Sequence, residues 1–303
     1  MKTKSRKVGL LFLSLFLVAA TVGCPAPVDE LGGLTSAELE ERIITALRAV
    51  ETVQFEQETI NKSMDKEIEG VVIRSWTQST AAAVDIVNKR SKATTTSVHR
   101  GRWGVSEQET IGYFVDGVYY SKRIEPGIPA QWMKWEGPWN PMTLPTEMII
   151  QWLNMSELEL LGTEKIRGIN CFVVSVVPDF EMFLQEQMRQ LEETKQAFPD
   201  MVEELPSPED METMIRDLLG DLTFKLWVCK ETFLPAREHQ KWTGVDTLGD
   251  LEVIAVKDTT AYFVYNQLVT IDLPPEAAHA VRREEFFELD QPVMPPEPPP
   301  AVP

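Results

Sequence analysis

The sequence predicts a mostly antiparallel β fold with helices, the α+β class, and three observations carry that prediction. Between Val53 and Trp135 short apolar and polar alternations follow one another with only turns between them, which argues a meander rather than alternating β/α units. The stretch from Leu158 to Arg237 reads as strand, turn, strand, a long helical excursion, then another strand. Helical periodicity is otherwise confined to short stretches, the clearest at residues 35–50.

At the start of the chain, Lys2, Lys4, Arg6 and Lys7 precede an uncharged run from Val8 to Gly23. The run is shorter than the roughly 20 residues that span a bilayer, so residues 1–23 read as an export signal. It ends Ala-Thr-Val-Gly-Cys24, which resembles the bacterial lipobox, with Thr21 in place of the usual Leu or Val. That resemblance implies that Cys24 is diacylated and becomes the mature N-terminus. The alternative is a secretory signal cut nearby, with Cys24 incidental. Residues 24–34 form a tether, and residues 35–288 form one domain with its own core.

Thr35 is followed three residues on by Glu38, a capping box that opens an amphipathic helix with Leu39, Ile43, Leu47 and Val50 on one stripe. Strands are expected at Val53–Met64, Glu69–Thr77 and Ala82–Lys89, then in a Thr/Ser-rich segment to His99. Thr110–Val115 and Val118–Arg123 flank Asp116-Gly117, a pair suited to positive φ and hence to a hairpin turn. Gln131–Trp135 gives one more short strand, and Thr146–Asn154 a short helix with Met148, Ile149, Trp152 and Leu153 inward.

Leu158–Ile166 and Ile169–Val177 are joined by Arg167-Gly168. The helical excursion at 179–220 has Asp179 as its first cap and Ser207-Pro208 opening a second helix. The strand Asp221–Cys229 puts Leu222, Phe224, Leu226 and Val228 on one face. Pairing Cys171 opposite Cys229 aligns Val173 with Trp227, Ser175 with Lys225 and Val177 with Thr223, and gathers Phe172, Val174 and Val176 with Leu222, Phe224 and Leu226 on a continuous apolar face. The cysteines then share the other face and form a disulfide, the alternative being two unrelated thiols. Further strands are expected at Glu238–Thr243, Leu251–Val256 and Thr260–Ile271, then a helix from Glu276 to about Phe287. The tail 289–303 has seven prolines from Gln291 on and reads as an extended spacer.

Charge and motif inventory narrow the function classes. Of 29 basic residues, 4 lie in the leader, which leaves 25 against 47 acidic ones in the mature chain, near −22. Such a surface repels nucleic acid and anionic headgroups, so attachment to a membrane rests on acyl chains. Three cysteines fit one anchor and one disulfide. The histidines His99, His239 and His279 stand in no metal-type spacing, and Gly-x-Ser-x-Gly and phosphate-loop patterns are absent. The expectation is a protein without catalytic residues, cofactor or metal. The acidic groups Glu203-Glu204 and Glu209-Asp210-x-Glu212 read as a solvated helix face rather than a calcium loop. The methionines of 182–214 read as helix core, with an adaptable lid over a ligand as the other reading.

The order of elements resembles the LolA-like superfamily, which includes the lipoprotein carrier and lipid-anchored LppX- and LprG-type lipoproteins. The resemblance rests on the opening helix, the meander, the Asp-Gly hairpin followed by Trp-Met-Lys-Trp135, the excursion between two late strands, and the ending Ala261-Tyr-Phe-Val-Tyr-Asn266 to Pro274. It covers residues 35–278 and implies a curved antiparallel half-barrel whose helices close over a concave apolar face able to hold acyl chains. The anchor, the acidic excursion and the proline tail depart from the soluble carrier. The resulting expectation is an envelope lipoprotein on the outer face of the cytoplasmic membrane, or on an outer membrane where the cell has one. Its ligand is a lipid or other long apolar molecule held on Phe172, Val174, Val176, Leu222, Phe224 and Leu226 beneath the helices of 179–220. The alternative is a structural or sensory lipoprotein with a self-filled core, engaging envelope proteins as partners.

Overall fold

The computed structural model describes residues 33–68, 70–101, 104–140, 144–197, 207–220, 222–248 and 251–283. The leader, Cys24, nearly all of the tether and the proline tail lie outside the described residues. In chain order the elements are α1 (Ser36–Arg48), β1 (Thr52–Asp65), β2 (Val72–Asp85), β3 (Arg90–Gly101), β4 (Gly104–Val115), β5 (Val118–Ile124), β6 (Trp132–Glu136), α2 (Pro145–Asn154), β7 (Ser156–Ile166), β8 (Ile169–Pro178), α3 (Phe180–Ala197), α4 (Pro208–Gly220), β9 (Thr223–Cys229), β10 (Pro235–Leu248), β11 (Leu251–Tyr265) and β12 (Val281–Arg282).

The strands form one open, curled sheet in the order β12-β6-β5-β4-β3-β2-β1-β11-β10-β9-β8-β7, antiparallel except where β12 joins β6. This is the half-barrel α+β class that the sequence predicts. The curl shows in one contact: Arg167, in the turn between β7 and β8, reaches Glu56 of β1 at 2.9 Å. Four steps along a flat sheet at about 4.8 Å each would separate β8 from β1 by about 19 Å, too far for one side chain, so the hairpin bends over the sheet.

Alternation gives the sheet two faces. On one, α1 and α2 pack Leu39, Ile43, Leu47, Ile149, Ile150 and Leu153 against Val53, Val84, Phe172, Val174, Val176, Phe224, Leu226 and Phe263. The capping box of Thr35 and Glu38 starts α1. On the other face, the segment after β11 lays Ile271, Ala277 and Ala280 against Tyr113 and Trp132.

Several boundaries differ from expectation. The segments expected at Glu69–Thr77 and Ala82–Lys89 merge into a single strand, β2, over Val72–Asp85, with 86–89 turning into β3, and Glu69 lies outside the described residues. Likewise β11 runs without a break through 257–259 and ends at Tyr265, not Ile271. In α2, Ile150 is buried and Met148 is exposed, because the buried stripe is Thr146, Ile149, Ile150 and Leu153, the i, i+3, i+4, i+7 set of one helix face, which leaves Met148 outside it. The helix expected from Glu276 is a short 310 turn, Pro275–His279, followed by β12. Residues beyond 283 of that prediction lie outside the described residues.

Candidate ligand-binding groove

The structure brings the six predicted ligand residues together, as core rather than as a cavity wall. Phe172, Val174, Val176, Phe224 and Leu226 are all buried, with Phe224 only 1% exposed, and Leu222 is half-buried beside them. The helices that seal them are α1 and α2. The excursion helices α3 and α4 pack on each other; Phe183 of α3 has its ring 5.1 Å from Trp152, which in turn stands edge-on to Phe224 at 5.7 Å, and α4 also contacts β10.

The register of β8 on β9 is the one the alternation predicts: Cys171 opposite Cys229, Val173 opposite Trp227 and Ser175 opposite Lys225. Both thiols are free in the structure, and Cys171 Sγ donates to the Ile169 carbonyl. Burial and the neighbouring Cys229 push the Cys171 thiol above its usual range.

A candidate site lies on the face opposite the helices. A lateral row of paired residues crosses the sheet there: Val173, Trp227, Arg237, Tyr262, Glu56, Ala81, Thr94 and Ile111, on β8, β9, β10, β11, β1, β2, β3 and β4. Two adjoining cavities of about 590 and 390 Å3 open over this row and share Glu56, Ala81, Thr94, Arg167 and Tyr262. The small side chains of Ser79, Ala81 and Ala83 make the floor low, so a groove forms where larger residues would fill it.

Its charged lining is Arg167, Arg237 and Lys92 with Glu56 and Glu58. The Arg237 guanidinium lies 4.2 Å from the Trp227 ring and 5.6 Å from the Tyr262 ring, while Arg167 sits 4.1 Å over the other aromatic partner's ring, Tyr262. Arg167 is neutralised by Glu56. Trp227 is held in place by donating its indole N–H to Glu164 at 2.6 Å. Arg237 differs: its Nε is buried and has no hydrogen-bond partner. A desolvated donor on a permanent cation favours an anionic oxygen at that point.

A third cavity, about 570 Å3 between α1, α2 and α3, is lined by Arg48, Glu147 and Arg189 among others, and Arg189 is already paired with Glu186 and Glu193. Among the described residues no group of three His, Cys, Asp or Glu side chains is gathered so as to hold a metal ion. No helix of the described residues is long and apolar enough to cross a membrane.

The groove residues carry no local sequence signal. Arg167 reads only as a turn residue, and Arg237 and Tyr262 only as members of strands. They meet because β7–β8 bends over β10, β11 and β1, a consequence of accumulated twist that no spacing rule records.

No family model matches this chain, and no curated protein matches it. Among solved structures, it is similar to a DUF1329 family protein from Desulfovibrio piger, with 12% identity, a TM-score of 0.25, and coverage of 78% of this chain and 95% of that one. It is also similar to a beta-barrel-like protein of the DUF1849 domain of unknown function from Brucella abortus, with 8% identity, a TM-score of 0.27, and coverage of 72% and 100%. At such TM-scores neither likeness bears on function.

Proposed function

We propose that this protein is a non-enzymatic, lipid-anchored envelope lipoprotein of LolA-like character that holds an acidic amphiphile, such as a fatty acid or an anionic lipid, in the groove opposite its helices. The observation that carries the reading is Arg237, stacked between two aromatic rings with a buried, unpaired Nε at the edge of a groove floored by alanines. Arginine in that setting offers a planar fork to a carboxylate or phosphate. The Ala81 and Ala83 floor and Val264 offer contact to a hydrocarbon chain. Burying about 12 methylenes at roughly 0.8 kcal/mol each gives a gross term near 10 kcal/mol, of which ordering and association remove half or more, so the chain alone supports a Kd on the order of 0.2 mM and the contact to Arg237 must supply any tighter binding.

The test is native mass spectrometry of the protein extracted from its own membrane, followed by titration with a fluorescent fatty acid. Wild type should carry and take up the ligand, and Arg237→Gln, shown folded by circular dichroism, should bind at least tenfold more weakly. Arg189→Gln, on the exposed face of α3, should bind like wild type. Absence of uptake by wild type, or full uptake by Arg237→Gln, favours the second reading. That reading is a structural lipoprotein engaging envelope proteins, and it draws on the helix-covered face being filled by the protein's own side chains.

A further inference from the structure

On the helix-covered face, toward the sheet end away from Val53, the register sets His99, Trp76, Asn61, Lys257 and Trp242 side by side across β3, β2, β1, β11 and β10. A cavity of about 280 Å3 lies over this row, lined by Asn61, Ser63, Arg74, Trp76, Trp242 and Lys257 among others. It is separate from the groove on the opposite face, and no residue lines both.

Two features set it apart. Six buried side-chain polar atoms among the described residues have no hydrogen-bond partner, and three of them line this one cavity: Asn61 Nδ2, Trp76 Nε1 and Trp242 Nε1. Folded proteins tolerate few such groups, because each costs about 1–3 kcal/mol, so three in one place point to a partner that comes from outside the chain. The second feature is charge. Arg74 and Lys257 line the cavity and no carboxylate does, in a chain with 47 acidic residues against 29 basic. The nitrogens gathered here are all donors: one amide, two indoles, an ammonium and a guanidinium.

The indole poses are built in. Trp76 stacks on His99 with ring centres 5.5 Å apart and planes 10° from parallel. Trp242 lies over Gly244, where an added Cβ would come within 2.2 Å of the ring, so only glycine leaves the indole in place.

We infer that this cavity is a binding site for an anionic, monosaccharide-sized ligand, a sugar acid or sugar phosphate, whose oxygens accept from Asn61, Trp76 and Trp242 beside Lys257 and Arg74. An acceptor-rich anion satisfies the three unpaired nitrogen donors beside two cations, which a cation or an apolar molecule does not. The two indoles supply flat apolar walls against which a sugar ring packs. The volume sits just below the roughly 300–1,000 Å3 of drug-sized pockets, which suits a single ring.

The indole N–H groups report directly on the interaction. In the mature chain, held in detergent and labelled with 15N-tryptophan, glucuronate or glucose 6-phosphate should shift the Trp76 and Trp242 cross-peaks downfield, as N–H groups do on gaining an acceptor. Those two signals are assigned with Trp76→Phe and Trp242→Phe, and the other tryptophan signals should stay in place. The tighter of the two probes tells carboxylate from phosphate recognition. Neutral glucose should shift neither peak. Lys257→Gln and Arg74→Gln should each weaken binding about tenfold or more, and Gly244→Ala should weaken it by displacing the Trp242 ring. Arg237→Gln, in the opposite groove, should leave it unchanged. The inference is overturned if neither anion moves the two peaks, if glucose moves them equally, if both charge variants bind like wild type, or if Arg237→Gln abolishes the response.

Discussion

Glu238 is the residue whose position most constrains the behaviour of the protein in solution. It lies on the helix-covered face, paired across the sheet with Leu226 and Ala261. Burial pushes its carboxyl from 4.5 up to about 7. Nearby, the Tyr265 hydroxyl is buried without a hydrogen-bond partner, and burial together with the Glu238 charge raises it as well. The sign follows from proton counting. Between about 4.5 and 7 the unfolded chain has released the Glu238 proton and the folded chain still holds it, so stability is full below 4.5 and declines as pH rises through 7. Urea unfolding at a series of pH values should show that decline. Glu238→Gln should flatten it and gain on the order of 1–2 kcal/mol at pH 8, after discounting the shift for residual solvent. A variant with the same slope as wild type would remove Glu238 from this role. The cysteine pair makes a second prediction at this scale. Lys230 N donates to Asn170 O, which makes 170 and 230 a hydrogen-bonded pair and Cys171 and Cys229 a non-hydrogen-bonded one. Such pairs place Cα atoms about 4.5 Å apart, inside the range a disulfide bridges. Peptide mapping without reductant, on protein purified from its native cell, should find Cys171 joined to Cys229. The bond should add up to about 4 kcal/mol. Two free thiols would reject the pairing.

Among the elements, α1 and α2 decide what the sheet can hold. Ile43 is 0% exposed and Leu47 2%, and with Ile149 and Leu153 they close the apolar face on which the alternation of β8 and β9 converges. Ile43→Ala should therefore cost about 2–5 kcal/mol in urea unfolding, the usual range for a truncation with a residual cavity. A loss below 1 kcal/mol would mean that α1 is only loosely docked. The register of β8 and β9 is legible in the sequence because both strands alternate cleanly, so that a slip by one residue would turn Phe224 and Leu226 outward. Long strands with polar character on both faces are not. Gln78 to Ala81 in β2 and Lys257 to Thr259 in β11 break the apolar alternation, yet they stay in the sheet through cross-strand partners such as Thr80 with Thr95 and Thr59 with Thr259. Those ladders replace apolar contact with hydroxyl pairing, which hydropathy does not register. The sequence predicts a helix from Glu276 onward. That stretch is drawn instead into a 310 turn and a parallel strand because Ala277 and Ala280 are small enough to fit against Tyr113 and Trp132.

At the scale of the whole molecule, the candidate sites and the surface charge divide the work of binding and attachment. The groove and the Trp76–Trp242 cavity lie on opposite faces; the groove sets Arg167 and Arg237 beside Glu56 and Glu58, whereas the cavity holds Arg74 and Lys257 with no carboxylate, within a chain of net charge −18. An acidic surface keeps the protein from adhering to anionic headgroups, while local cationic recesses still admit anions. On the proposed reading of an envelope lipoprotein, membrane attachment would rest on something other than electrostatic docking, which repulsion opposes. On that proposal Cys24 behind Gly23 would carry two acyl chains, because a single chain binds only marginally. In cell fractionation Cys24→Ser should move the protein from the membrane pellet to the soluble fraction or leave it as an uncleaved precursor. High salt should not release the wild type, because the anchor is hydrophobic rather than ionic. A Cys24→Ser protein that is processed at another residue and stays in the pellet would place the attachment on the folded domain itself, and the acidic surface would then need a basic partner protein to hold it there.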